Sequence, residues 1–501
     1  MTTSASRGLI KSMLIIGSAQ VVNIFISIIR MKVLAVLLGP SGVGLLSIYN
    51  NLLELVQQTA GLGMETSGVR EIASSRGNET TLSRMRRVLF AAHLLQGTLA
   101  MLAVWLLRER IAIWLFSDAL RMTEVGLIGI AILFGLLASA QTALLQGLRN
   151  IGDLGRVTVI GAFIGTLVGL AAVWLQGERG LIWFILVQPL AIVLIALHYT
   201  RRLPKPMAAR LSLNETWEVW KPMAKLGTAF MFGGLATAAT LLLVRSLISK
   251  ELGLDAAGYF AAAWGITMTY VGFLLSAMGA DYYPRLTEVI NDKVEAVRLM
   301  NEQAQLGLAI GGPVLLLLVG LAPWVISLLF SKEFAPAATL IQWHILGNVF
   351  KIADWSLGFA HVAAGRSKVF LLNQLAWSFI FLPITWLGLP SFGIAITGPA
   401  FVVAYGLGLI INIVLVRHFL DFRWQGLSIG LLGLHSGLSL TLLVIAFMAP
   451  VLAAALSIPL ALTTGLFALR IVLSKLGKHS RLPTRLYGIF ERLGWPIQSA
   501  V

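Results

Sequence analysis

The sequence predicts an all-α polytopic membrane protein of about 14 transmembrane helices. Two six-helix bundles related by internal duplication are followed by an appended helix pair. Three observations carry that expectation. Charged residues make up 12% of the 501 residues and hydrophobic ones 57%, against roughly 25% charged in a soluble domain. Apolar windows of about 20 residues, long enough to cross a bilayer, recur fourteen times. The chain also echoes itself at a constant offset.

The echo is clearest at Arg30–Tyr49, R-M-K-V-L-A-V-L-L-G-P-S-G-V-G-L-L-S-I-Y, and Arg245–Phe260, R-S-L-I-S-K-E-L-G-L-D-A-A-G-Y-F. Gly39 and Gly253 lie 214 residues apart, as do Gly44 and Gly258, while the arginines differ by 215. Phe116-Ser117 and Phe330-Ser331 repeat the offset of 214. In each copy an apolar helix ends at an arginine, crosses a Leu-Gly turn and re-enters an apolar helix.

Taken in order, the windows are 10–30, 43–64, 88–107, 123–146, 157–176, 180–199 and 224–247, then 256–278, 303–322, 337–362, 368–388, 394–416, 427–448 and 451–473. The division that follows is an N-terminal lobe (1–200), a cytoplasmic linker (201–223) with Pro204, Pro206 and Pro222, a C-terminal lobe (224–418), appended helices 13 and 14 (419–473) and a basic cytoplasmic tail (474–501). Six helices is an even number, so both halves enter the membrane from the same side. Parallel repeats of this kind place a site between them near the midplane. With a cytoplasmic N-terminus, 28 of the 38 Lys and Arg fall on cytoplasmic segments and 9 on outer ones, with Lys351 inside a helix. That asymmetry predicts both termini inside.

A net charge of +16 distributed between apolar segments points to anionic lipid head groups rather than nucleic acid. No cysteine is present, which excludes disulfides, a thiol nucleophile and a zinc-thiolate site. The chain has no G-x-x-x-x-G-K-[ST] motif for ATP hydrolysis, and its outer connections are too short to hold a catalytic domain. No enzyme activity and no cofactor are predicted, and a driving ion gradient is left open.

Polar groups inside apolar helices cost about 2.5–3.5 kcal/mol when charged, so they mark candidate sites. Gln20, Asn23, Ser27 and Arg30 form one stripe, and Asn51, Glu54, Gln58 and Gly61 a second. Trp343, Gly347, Lys351, Asp354 and Gly358 form a third, with His344 and Asn348 beside it, and Arg245 ends the seventh window. These stripes are read as lining one hydrated space. Lys351 and Asp354 could instead neutralise one another at i,i+3. Arg30, Lys32 and Arg245 could snorkel to head groups, and Glu54 could join helices. His93 stands alone and reads as structural.

Three stretches resemble a known group: L-L-G-P-S-G-V-G-L at 37–45, L-L-F-S-K-E-F at 328–334, and above all L-I-Q-W-H-I-L-G-N-V-F-K-I-A-D at 340–354. They are similar to the polysaccharide flippases of the multidrug/oligosaccharidyl-lipid/polysaccharide exporter superfamily, nearest to its O-antigen and lipid III translocases. The likeness covers about residues 8–418 and leaves the last helix pair outside. It implies a V-shaped pair of six-helix bundles that moves an undecaprenyl-pyrophosphate-linked oligosaccharide across a bacterial inner membrane. The substrate-binding residues implied are Arg30, Lys32, Arg245 and Lys351 for the pyrophosphate, and Asn23, Asn50, Asn51 and Trp343 for sugars, with Glu54 and Asp354 nearby. Membrane lipids and other polysaccharide-assembly proteins are the implied partners. The chain departs from the group where some members carry arginine on the second helix, having Asn50-Asn51 and Glu54 there. The rival readings are a multidrug exporter of the same superfamily, a membrane enzyme of glycan assembly, and a non-transporting scaffold.

Overall fold

The computed structural model describes residues 3–75, 78–117, 119–203 and 212–476, with Phe490 and Arg492. Among these residues the fold is helical, without strands. The helices are α1 (Thr3–Gly61), α2 (Met64–Ser74), α3 (Glu79–Phe116), α4 (Met122–Gly147) and α5 (Ile151–Gln176). They continue with α6 (Gly180–Thr200), α7 (Leu213–Leu252), α8 (Leu254–Val289), α9 (Lys293–Leu329) and α10 (Ala337–Ala363). The last four are α11 (Ser367–Phe392), α12 (Thr397–Leu420), α13 (Gly426–Met448) and α14 (Pro450–Leu476).

The fourteen apolar windows all fall in helices, the first two forming the arms of α1 on either side of Gly39. Nine described stretches are long and apolar enough to span a bilayer, and Ser18–Gly61, Ile151–Thr200 and Lys368–Leu420 each hold two windows. The α10 helix is not among them because its polar stripe lowers its hydropathy.

Two connections expected as loops are mostly helical. Residues 65–87 form α2 and the start of α3, where Asn78 caps the helix by accepting from the Thr81 amide at 3.0 Å. Residues 279–302 are the end of α8 and the start of α9, separated by a short turn. The apolar window marks only the stretch that hydrocarbon requires. Beyond it a helix persists wherever polar side chains support it, as Arg298 does by bonding Glu295 at 2.5 Å and Glu302 at 2.7 Å. The linker also shortens, because α7 begins at Leu213 under a capping box. There Ser212 Oγ accepts from the Glu215 amide, and the Glu215 carboxylate accepts from the Ser212 amide. Residues 204–211 of the linker, and the tail beyond 476 apart from Phe490 and Arg492, lie outside the described residues.

The chain packs as two compact units, residues up to 261 with 329–331, and 262–328 with the remainder. By sequence offset α7 belongs to the second repeat; by packing it belongs to the first unit, on α1, α2 and α3. The repeated turns account for this contact. Gly39 (φ 64°, ψ −164°) and Gly253 (φ 88°, ψ 170°) take the same backbone conformation, one that only glycine adopts readily. Five residues on, Gly44 lies against the Leu254 carbonyl, and Gly258 against that of Pro40. A Cβ at either position would strike main chain, so the two turns meet backbone to backbone.

Within the first unit α3 packs on α4, α5 on α6, and α1 on α5. Met64, Ile72, Leu89, Ala140, Leu144 and Met223 bury a shared core at one end of these helices. Within the second unit α10 and α11 pack on α12, and α13 pairs with α14. Asn301 fastens the α12–α13 connection to α9: its amide donates to the Arg423 carbonyl, and its oxygen accepts from the Gln425 amide and Ser428 hydroxyl.

Candidate functional site

The first unit contains a cavity bounded by α1, α4 and α6, to which α2, α3, α5 and α7 add walls in its second part. One part, about 400 Å³, is lined by Arg30, Asn50, Gln57, Phe184, Gln188 and Pro189 among others. A second part, about 500 Å³, shares Gln57, Gly135, Ala138 and Ile192 with the first and adds Glu54, Gln58, Glu65, His93 and Thr142. Gly135 on α4 lets the Gln57 side chain pack directly on its backbone, where a Cβ would strike it.

Arg30 is the charged residue of the first part. Its Nη1 donates to Gln188 Oε1 at 3.0 Å and its Nη2 to Ser27 Oγ at 3.3 Å. The guanidinium sits 5.5 Å from the Phe184 ring centroid, while its buried Nε has no protein partner. No carboxylate neutralises it within ion-pair distance among the described residues. Gln188 comes from α6 immediately before Pro189, whose missing N–H leaves the Ile185 carbonyl without its helical donor. Ile185 also lines this part. The cavity therefore offers a cation and side-chain amides inside helices that are otherwise apolar.

The remaining predicted residues are distributed differently. Asn23 is half-buried on the Arg30 stripe, its Oδ1 unsatisfied. Asn50 lines the cavity, whereas Asn51 turns into the protein, 4% exposed, with its Nδ2 lacking a partner. Glu54 is exposed in the second part and accepts from Gln58 Nε2 at 3.2 Å. Lys32 donates to the Phe330 carbonyl, tying the two copies of the repeated landmarks together. Arg245, 8% exposed, lines neither part. It donates to the Ser47 carbonyl at 3.3 Å and lies 5.9 Å from the Phe260 ring centroid, joining α7 to α1.

The α10 stripe runs along the contact with α12, its Trp343, Lys351 and Asp354 side chains each half-buried. Trp343 packs on Gly398, Gly347 on Phe401, and Lys351 Nζ stands 5.2 Å from the Tyr405 ring centroid while donating to the Met268 sulfur. Asp354 Oδ1 accepts from Asn412 Nδ2 at 2.8 Å, and Asn412 Oδ1 accepts from His361. Lys351 and Asp354 form no direct ion pair among the described residues. The partners on α12 recur at helical spacing, so one side of the polar stripe follows a neighbouring helix. Spacing along α10 alone cannot distinguish a wet face from a seam.

Gln188, Gln57 and His93 line the cavity and were not singled out for it in the sequence. Gln188 carried a signal of sorts, a glutamine beside a proline inside an apolar window. His93 carried none that distinguishes a cavity histidine from a core one.

Comparison with known proteins adds three findings. A family model described as "Polysaccharide biosynthesis protein" matches residues 33–339. The Lipid III flippase of Escherichia coli (strain K12) is 22% identical over 403 residues, covering 79% of this chain and 95% of that protein. Among solved structures, the lipid II flippase MurJ in an inward closed conformation matches with a TM-score of 0.64 and 12% identity, over 92% of this chain and 98% of its own. An inward-facing multidrug resistance MATE family transporter of the MOP superfamily matches with a TM-score of 0.68 and 13% identity, over 80% and 94%. At those identities the solved structures speak to the fold alone: a polytopic all-α architecture.

Proposed function

The chain belongs to the polysaccharide biosynthesis protein family, and we propose that it is a flippase. Its cargo on this reading is an undecaprenyl-pyrophosphate-linked oligosaccharide, an O-antigen or related surface-polysaccharide repeat unit. It carries this unit across the bacterial inner membrane by alternating access, with both termini in the cytoplasm. The observation that carries the reading is Arg30, an uncompensated cation presented with amides to a cavity inside apolar helices. A pyrophosphate must shed water to cross hydrocarbon, and guanidinium replaces that water with bidentate charge-assisted hydrogen bonds. The E. coli relative, by its name a lipid III flippase, supports the same substrate class. Arg30 is the head-group contact in this scheme, with Asn50 and Gln188 beside it. Lys32, Arg245, Lys351, Trp343 and Asp354 hold the helices that move.

Arg30→Ala tests this. It should reach the membrane at wild-type levels yet fail to restore surface polysaccharide in a flippase-deficient strain. The purified variant should lose roughly a hundredfold in affinity for a polyprenyl diphospho-sugar, the 2–3 kcal/mol of a hydrogen bond to a charged group. Normal export from the variant would remove Arg30 from the mechanism. Glu54 and Glu65 favour a second reading, export of an organic cation. Tight binding of an ethidium-type dye, with none of the diphospho-sugar, would establish it instead.

A further inference from the structure

A separate cavity, of about 230 Å³, lies at the end of the first unit where α3 turns into α4 and α5 into α6. Its lining includes Tyr49, Arg121, Glu124, Glu178, Arg179 and Ile182. Tyr49 forms a packed floor, 1% exposed, its ring edge-on to Phe116 at 5.9 Å. Arg121 Nη2 donates to Glu178 Oε1 at 2.9 Å, so the two connections are already tied and that pair is neutral. Glu124 and Arg179 are left over. Neither forms an ion pair among the described residues, so one charge of each sign remains to be met. The surroundings place the cavity at the edge of the hydrocarbon. Trp114, Trp174 and Trp183, all exposed, stand on α3, α5 and α6 a turn or less from Phe116, Glu178 and Ile182. Tryptophan collects at the membrane–water interface, where head groups lie. Leu120, 87% exposed, adds an apolar rim.

We infer that this cavity binds the phosphoethanolamine head group of a bilayer phospholipid. The phosphate meets the Arg179 guanidinium, and the primary ammonium meets the Glu124 carboxylate, with the neutral Arg121–Glu178 pair between them. Both contacts are charge-assisted hydrogen bonds, stronger than neutral ones. Pockets at helix ends that recognise lipid head groups work through the same charges. An anionic head group without an amine would satisfy Arg179 and leave Glu124 facing it uncompensated, which discriminates against it. A quaternary ammonium has no N–H to donate and is held by aromatic cages instead. Here the aromatic side chain in the lining, Tyr49, is packed away on Phe116. The acyl chains lie past Leu120 and the tryptophans, in the bilayer they already occupy. The bound head group then bridges the α3–α4 and α5–α6 connections in parallel with the Arg121–Glu178 pair, and phospholipid becomes part of what holds this end together. The inference rests on the membrane-spanning fold and not on the flippase reading.

The test is native mass spectrometry of the purified full-length protein with three dioleoyl probes: phosphatidylethanolamine, phosphatidylcholine and phosphatidylglycerol. Wild type should hold phosphatidylethanolamine about fivefold more tightly than either of the others. Glu124→Gln should lose the preference over phosphatidylcholine by weakening phosphatidylethanolamine alone. Arg179→Gln should weaken phosphatidylethanolamine and phosphatidylcholine alike. Lys293→Gln, at an exposed pair in the second unit, should change neither. Glu124 and Arg179 are half-buried and exposed, so both variants should melt as wild type does in lipid-free detergent. The same preference should appear as a wild-type melting temperature raised more by phosphatidylethanolamine than by phosphatidylcholine. Equal wild-type affinities for those two lipids, or a preference that survives in Glu124→Gln, would overturn the inference. So would glycerophosphoethanolamine, the soluble head group without acyl chains, binding as tightly as the lipid, for the ligand would then come from solution and not from the bilayer.

Discussion

Arg30 and Arg245 occupy matching places ahead of the two Leu-Gly turns, and the structure treats them in opposite ways. Arg30 is half-buried against open space, held by side chains that leave its Nε unsatisfied. Arg245, whose Nε is likewise unsatisfied, is buried against main chain, bonded to the Ser47 carbonyl and packed by Phe260. The surroundings decide this rather than the residue. Arg30 lines a cavity together with Asn50, Phe184 and Gln188. Beyond Arg245 the paired turns at Gly44 and Gly258 press backbone on backbone. A duplicated arginine can thus become a ligand contact in one copy and a helix tether in the other.

The largest expected effect follows from the tether. Arg245→Ala removes the guanidinium, its packing at a buried joint and its hydrogen bond to the Ser47 carbonyl. We expect a loss of roughly 3–4 kcal/mol in stability, read as a fall in melting temperature and membrane level. Any loss of transport should scale with the protein present. Full stability in the variant, with binding lost, would make the two arginines alike after all.

How much of this was legible in the sequence divides along the same line. Helix number could be read, and so could the two matching turns, because hydrophobic length and glycine conformation are local properties. Gly39 and Gly253 announce their turns wherever they occur. Helix ends beyond the bilayer were not legible, since Arg298 and its glutamates extend a helix without adding hydropathy. Arg30 could be suspected from its stripe, but its partner Gln188 is 158 residues away. The α10 stripe was the same signal with another meaning, because Gly398, Phe401, Tyr405 and Asn412 happen to face it.

A smaller effect sharpens the contrast at Arg30 itself. Arg30→Lys keeps the charge but loses the fork that reaches Gln188 and Ser27 at once. If the residue serves as a pyrophosphate contact, the change should cost about 1 kcal/mol, roughly fivefold in affinity. Stability should stay at wild type, as it should not for a lysine placed at Arg245. A loss as deep as that of Arg30→Ala would mean that geometry, and not charge, governs the site.

The smallest effect belongs to an ion pair that neither lines the cavity nor joins buried helices. Lys293 Nζ lies 2.7 Å from Asp421 Oδ2 at the start of α9, with side chains 56% and 77% exposed. The hydrogen bond from Lys293 and its charge hold the Asp421 carboxyl below the usual carboxylate range. A depressed folded pKa means that the stabilisation is present above the unfolded value, about 3.9, and is lost as pH falls through the folded one. Asp421 also caps α12 in the left-handed region (φ 54°), which asparagine tolerates as well. Asp421→Asn therefore removes the charge without straining the turn. In water, with salt present, such a pair contributes little, so the melting temperature at pH 7 should move by less than about 1 °C. The difference from wild type should vanish when the measurement is repeated below about pH 3. A shift of several degrees at neutral pH would show that exposure had been misjudged, and that this pair, like Arg245, ties elements together.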